Sequence, residues 1–339
     1  MRNHQITRQQ RLLNEHGQIR ECGWSTSQLQ EYHRKDIKAA SFRIKEWDYY
    51  LILANDFGIA MTVSDDGYIG LQSISFLNFL EGYEHTETKL NLFPMGKFHL
   101  PSSSSQGPTV YKDKRMQFTF EVLHGKRHLT ASCKHFMNGK DLSCDILLAQ
   151  PDMDTMVIAT PWSTSKTACY YNQKINCMRA SGTISLGNQT YTFDPQTNFG
   201  TLDWGRGVWT YDNTWYWGSG NIDLHGKAFG FNVGYGFGDT SAATENVLFY
   251  EGIAHKLDDV TFHIPSDHMQ SWTITSSDHR FDMCFTPALD RSANISALII
   301  SSNQHQVFGY LDGIAILDDG TALELTHMLC FFEFVHNRY

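Results

Sequence analysis

The sequence holds no run of the ~18 to 20 apolar residues that a membrane-spanning helix needs. Its first residues, MRNHQITRQQRLLNEHGQIRE, are polar and contain no apolar h-region, so no secretory signal is expected. Basic residues are outnumbered: the net charge of −9 argues against non-specific binding to nucleic acid and against electrostatic docking on an anionic membrane. No Cys-x-x-Cys pair occurs. The seven cysteines (22, 133, 144, 169, 177, 284 and 330) are odd in number and scattered, and read as reduced thiols of a cytoplasmic protein. The sequons at Asn188 and Asn294 then have no glycosylation to report. A G-x-S-x-G elbow and a P-loop are missing. Gly234-x-Gly236-x-Gly238 is not followed by helix grammar, so no dinucleotide or other cofactor is expected.

Helix signals are scarce as well. Ser25 to Arg34 (STSQLQEYHR) predicts one short helix, capped by Ser25 or Thr26, and Ser75 to Glu81 is ambiguous. The rest has strand grammar: short β-branched and aromatic runs broken by Gly, Asn or Asp. Trp47 to Ala54 and Ile59 to Ser64 form a hairpin around Asn55-Asp56-Phe57-Gly58, and Asn188-Gln189 and Asp318-Asp319-Gly320 mark further turns. Closely spaced strands without βαβ rhythm predict an all-β sandwich or barrel. Trp47, Tyr49, Gly58, Ala60 and Gly70 are echoed by Trp215, Trp217, Gly226, Ala228 and Gly238 at a shift of 168 residues, about half the chain. The expectation is therefore two tandem β units, 1–172 and 173–339, divided where STSKTACYYNQKINC loses alternation, with one or two short helices.

What the chain does have is concentrated between Phe199 and Tyr250. Four of the eight tryptophans lie between Trp204 and Trp217, and ten of the 26 glycines between Gly200 and Gly238. In AFGFNVGYG, Phe229, Phe231, Val233 and Tyr235 point one way; Ala228, Gly230, Asn232, Gly234 and Gly236 leave the other face nearly bare. Gly within a strand weakens it unless another strand or a ligand approaches closely. Trp215 and Trp217 share a face that Tyr216 does not. Large flat rings beside bare backbone suggest a pocket lining, with Trp24, Trp204, Trp209, Trp217, Asn232 and Tyr235 as candidate substrate-binding residues.

Four charged residues are interspersed. Asp203 and Arg206 lie in LDWGRG, which reads as a turn; Asp239 follows Gly238, and Glu245 opens ENVLFY. A carboxylate in an apolar cleft is pushed towards its protonated form and suits a general acid, whereas a neighbouring arginine holds a carboxylate ionised. Asp203, Arg206, Asp239 and Glu245 are the candidate catalytic set, with Asp239 or Glu245 as donor. The same residues would also serve merely as a half-buried ion pair and a turn cap. Asp65, Asp66 and Tyr68 in SDDGYIG read chiefly as a turn. His124 and His128 have helical ligand spacing, but their segment alternates like a hairpin turning at Gly125, so no metal site is expected.

The runs LDWGRGVWTYDNTWYWGSGN and GFNVGYGFGDTSAATENVLFY resemble the bacterial family known as domain of unknown function 2804. The resemblance extends to GWS at Gly23 to Ser25, the Trp47 hairpin, the DDGYIG turn and the closing strand, and thus to nearly the full chain. More distantly, the paired-unit layout is similar to the calycin-like group containing hydroxyneurosporene synthase, a carotenoid hydratase. That likeness implies two lipocalin-like units and a group whose enzymes protonate or cyclise isoprenoid chains. The partner to expect is a hydrophobic or amphipathic small molecule, acted on by Brønsted-acid chemistry; the alternatives are a non-catalytic carrier or sensor and a carbohydrate-binding or -processing protein.

Overall fold

The computed structural model describes residues 2–297 and 300–338. It is all-β, with two large sheets, each curled into a lipocalin-like half-barrel. In the first, the meander Lys45–Leu53, Phe57–Asp65, Ile69–Asn78, Tyr83–Leu92 is joined through Lys45–Leu53 to Phe199–Val208, and beyond it to Ser165–Leu186, Lys140–Ala149 and Lys126–Met137. In the second, the meander Asp212–Leu224, Lys227–Tyr235, Val247–Tyr250, Ile253–Lys256 is joined through Asp212–Leu224 to Ala322–Arg338, and beyond it to Ile300–Ile316 and Phe281–Ala297. In both, the first meander strand pairs with the last long strand of its unit, so the halves share one wiring.

Strand alternation divides the side chains between two destinations. One face of each sheet fills its own barrel: Ile52, Met61, Phe118, Leu202 and Trp204 in the first, Phe229, Phe231, Phe281 and Phe332 in the second. The other face meets the opposite sheet, where Tyr49, Leu51, Trp217, Phe308 and Phe331 form one shared cluster. Tyr170, Trp209, Phe237, Val247 and Phe249 form another. The central strands are therefore covered on both sides; all ten residues of Phe199–Val208 are buried.

Three expectations need correction. Ser25 to Arg34 forms no α-helix. Gly23–Ser25 pairs with Val157 to Ala159, Gln30–Glu31 pairs in parallel with Gln10–Arg11, and only the single 3-10 turn Arg34–Asp36 is helical. Pairing partners distant in sequence override a weak local preference. LDWGRG is not a turn but the doubly buried central strand. The position between 172 and 173 falls inside the strand Ser165–Leu186, and the chain passes from the first sheet to the second between Val208 and Asp212. The lost alternation near residue 170 has the same origin: Ala168 to Met178 is buried throughout, and a strand covered on both faces loses its polar period. A bulge between Ile175 and Met178, with Cys177 at φ 60, carries Asn176 across to the second sheet. There its Nδ2 donates to Ser219 Oγ at 2.8 Å and to the Phe231 carbonyl at 3.0 Å.

Candidate functional site

The inter-sheet face carries a buried group of charges. Asp203 and Lys174 are neighbours across the Phe199–Val208 and Ser165–Leu186 pairing, and both point towards the second sheet. Lys174 Nζ lies 2.8 Å from Asp203 Oδ2 and 3.9 Å from the centroid of the Trp217 ring. Asn172 Nδ2 donates to Asp203 Oδ1 at 2.6 Å. Side-chain exposure of 4% for Lys174 and 10% for Asp203 makes this a desolvated pair.

Two further carboxylates come from the second unit, Glu333 on the strand Ala322–Arg338 and Glu245 in the segment just before Val247–Tyr250. Glu333 pairs with Trp217 in register and faces the same way; its Oε1 accepts from Trp215 Nε1 at 2.9 Å and its Oε2 from Gln306 Nε2 at 3.0 Å. Burial pushes the Glu333 carboxyl up to about 7, and Asp203 adds to this, while the Trp215 bond, Lys174 and Arg291 oppose it. Burial also raises Glu245, with Lys174 pulling it down and Asp203 pushing it up. Glu245 Oε2 has no hydrogen-bond partner among the described residues. Tyr170, held well above its ordinary range by burial, is pushed further in the same direction by the charges of Glu245, Asp203 and Glu333.

The bare face of Lys227–Tyr235 is what admits this group. A Cβ on Gly234 would stand 2.8 Å from Glu245 Oε1, and one on Gly230 would stand 2.7 Å from Cys177 Sγ. One glycine thus makes room for a carboxylate and the other for the bulge of the facing sheet. Asn232, between them, accepts from Trp217 Nε1 at 2.7 Å and donates to the Glu245 carbonyl at 2.9 Å.

Aromatic rings separate the charges from solvent. The Phe237 centroid lies 4.8 Å from that of Tyr170, 5.1 Å from Trp162 and Trp209, and 5.3 Å from Trp215. Trp47 stacks on Tyr170 at 6.1 Å and meets Trp209 edge-on at 5.3 Å. Beside Phe237 lies a cleft of about 600 Å³ lined by Trp162, Thr210, Asn213, Gly236, Gly238 and Asp239, among others. Phe237 stands between Gly236 at φ +93 and Gly238 at φ +81, left-handed positions that glycine adopts without strain.

Of the candidates from sequence, Asp203, Glu245, Trp209, Trp217 and Asn232 come together here. Arg206 and Trp204 lie on the opposite face of their strand, since positions 203 and 206 differ by an odd step. Arg206 is fully buried, with its guanidinium 2.9 Å from Asp48 and 4.2 Å above the Trp204 ring, inside the first barrel. Tyr235 faces the second barrel, stacked on Tyr216 at 4.5 Å. Asp239 sits on the cleft rim; its carboxylate accepts from the Ser241 amide at 3.0 Å, and hydrogen bonds from Ser241 lower it, as fits a turn cap and not a proton donor. Trp24 borders a separate cleft of about 390 Å³ beside Lys256, a buried amine that desolvation brings down to about 7. Lys174, Glu333, Tyr170 and Phe237 were not singled out, and Trp47 only as part of a hairpin and of the internal echo. A lone acid within MLCFFEFV, and a lone lysine within YYNQKIN, were the available signals.

The family described as Domain of unknown function (DUF2804) matches residues 3–339. The chain belongs to the DUF2804 family. Similar solved structures include a candidate AttH from Nitrosomonas europaea, with a TM-score of 0.51 and 13% identity over 90% of this DUF2804 chain and 95% of that one. Kievitone hydratase from Nectria haematococca follows at TM-score 0.45 and 9% identity, over 91% and 92% of the two chains. CghA aligns at TM-score 0.47 and 8% identity, over 89% of each. At such identity the AttH likeness shows the two-unit lipocalin-like fold and nothing further. No curated protein sequence matches this DUF2804 chain.

Proposed function

We propose that the inter-sheet cluster is a proton-transfer site for a hydrophobic or amphipathic small molecule that enters from the cleft beside Phe237. The observation that carries this reading is the pairing of unlike carboxylates on one desolvated face. Asp203 is held by Lys174 and Asn172, while Glu333 is pushed to about 7 and Glu245 is also raised. A carboxyl group that burial keeps protonated near neutral pH is what general-acid chemistry needs. Glu333 is the best-placed donor, with Glu245 beside it; the Asp203–Lys174 pair sets the local field. Trp47, Trp209, Trp215 and Trp217 present apolar faces within the sheet interface, not along an open groove, which favours an apolar ligand over a sugar. Hydration, isomerisation or cyclisation initiated by protonation are the reaction types such a site supports. Seven unpaired cysteines fit a reducing, cytoplasmic setting; among the described residues no helix is long and apolar enough to cross a membrane.

The test begins with native mass spectrometry of freshly purified protein, where a co-purifying small molecule is expected. Incubated in D₂O, the wild type should return that molecule carrying deuterium or added water. Glu333→Gln should slow this by about 10²- to 10⁴-fold, the contribution of a positioned general acid. Release of the molecule unchanged after long incubation would favour the carrier reading instead.

A further inference from the structure

A second group of chemistry-bearing residues lies on the other face of the second sheet. Asp290 and His305 stand on the neighbouring strands Phe281–Ala297 and Ile300–Ile316. Asp290 pairs in register with Val307, so His305, two residues before it, points the same way. Leu289 points into the inter-sheet cluster, and Asp290 therefore points away from it. His268 reaches the pair from the loop between Val260–His263 and Trp272–Ser276. That loop is anchored by Trp272, whose Nε1 donates to the His268 carbonyl at 2.9 Å while its ring is buried in the second barrel.

The geometry points to a divalent transition-metal site formed by His268, Asp290 and His305, with Zn²⁺ as the reference ion. One donor atom from each residue lies within 4.8 Å of the others. His305 Nδ1 is 2.8 Å from Asp290 Oδ2, and the two imidazole centroids are 4.4 Å apart. Donors about 2.0–2.2 Å from a tetrahedral zinc lie about 3.4 Å from one another, so rotamer shifts on the order of 1 Å close the set. Asp290 Oδ1 is buried with no hydrogen-bond partner among the described residues. A purely structural Asp–His pair leaves that lone pair unsatisfied, at a cost a cation would remove. Two imidazoles and one carboxylate suit Zn²⁺ and other late first-row ions, whereas Mg²⁺ and Ca²⁺ prefer all-oxygen sets. Each residue keeps part of its surface exposed, which leaves an entry path and a fourth position for water. The bound ion would pin the His268 loop to the barrel strands.

The chelator-stripped full-length chain should be titrated with Zn²⁺ by calorimetry and with Co²⁺ by visible absorption. One equivalent should bind, Co²⁺ should give tetrahedral ligand-field bands, and Zn²⁺ should raise the unfolding temperature as a native-state ligand. His268→Gln, a change in a loop, and Asp290→Asn should each weaken binding at least tenfold and abolish the bands. His128→Gln, on the first sheet, should change neither. If the wild type shows no ligand-field bands, or if His268→Gln binds as tightly as the wild type, the site is not a metal site. Neither result depends on the reaction at the inter-sheet cluster.

Discussion

The Trp215 indole donates to Glu333 Oε1 at 2.9 Å, from one strand to its neighbour, on the face where the two sheets meet. This bond joins the aromatic layer below the cleft to the carboxylate group beneath it. It also works against the burial that raises Glu333, since a donor favours the charged form.

Glu333 should make stability depend on pH in a defined direction. Its folded-state pKa of about 7 lies above the ordinary 4.5. The native state then binds more protons than the unfolded state between those values, and stability falls as pH rises through that window. Glu333→Gln keeps an acceptor for Trp215 but cannot ionise. It should stabilise the protein at pH 8, on the order of 1–3 kcal/mol, and change little at pH 4.5. Denaturant unfolding at both values checks this; an equal effect at both would show that Glu333 does not titrate as described.

Lys174 should be costly to remove. Its partner Asp203 and both raised carboxylates lie within its field. Lys174→Met would leave Asp203 as a buried uncompensated charge, a loss of about 3–5 kcal/mol. Adding Asp203→Asn should restore a substantial part of that. A double-mutant cycle in denaturant measures the coupling, and simple additivity of the two losses would contradict the pairing.

How much of this was legible follows from which faces are exposed to water. The all-β class and the tandem repeat could be read because hairpins and turns at the rims keep their polar punctuation, as at Asp318-Asp319-Gly320. The two faces of AFGFNVGYG could be read for the same reason of alternation, and Phe231 and Asn232 do part company as that pattern requires. LDWGRG resembled a turn because of its glycines, which instead mark close approaches: a Cβ on Gly205 would be 2.1 Å from the Trp47 ring, and one on Gly207 2.1 Å from the Cys169 carbonyl oxygen. Arg206 was grouped with Asp203 by proximity in sequence, yet strand geometry sends them to opposite sides. Lys174 and Glu333 were missed because their partners come from distant strands, which no local spacing encodes.

The Gly205–Trp47 contact gives a direct test of the interface. Gly205→Ala forces the indole to move, since the new methyl group would overlap its six-membered ring. Overpacking of this kind costs about 1–3 kcal/mol. Trp47 also stacks on Tyr170 and meets Trp209, so the near-ultraviolet circular dichroism of the aromatic layer should change along with stability. An unchanged spectrum would mean that Trp47 is not seated against Gly205.

Phe237 offers a test of access. Its ring touches Trp162, Tyr170, Trp209 and Trp215, its neighbours Gly236 and Gly238 line the cleft, and on the proposed route it would stand between that cleft and the carboxylates. Phe237→Ala removes that barrier and leaves a cavity, at a stability cost of about 3–5 kcal/mol. Acrylamide should then quench tryptophan fluorescence more strongly, because Trp209 and Trp215 lose their cover. Phe237→Leu should cost less and keep most of the protection, which separates loss of the plug from general loosening. If Phe237→Ala folds cooperatively and quenching matches the wild type, the cleft does not lead to the inter-sheet site through Phe237.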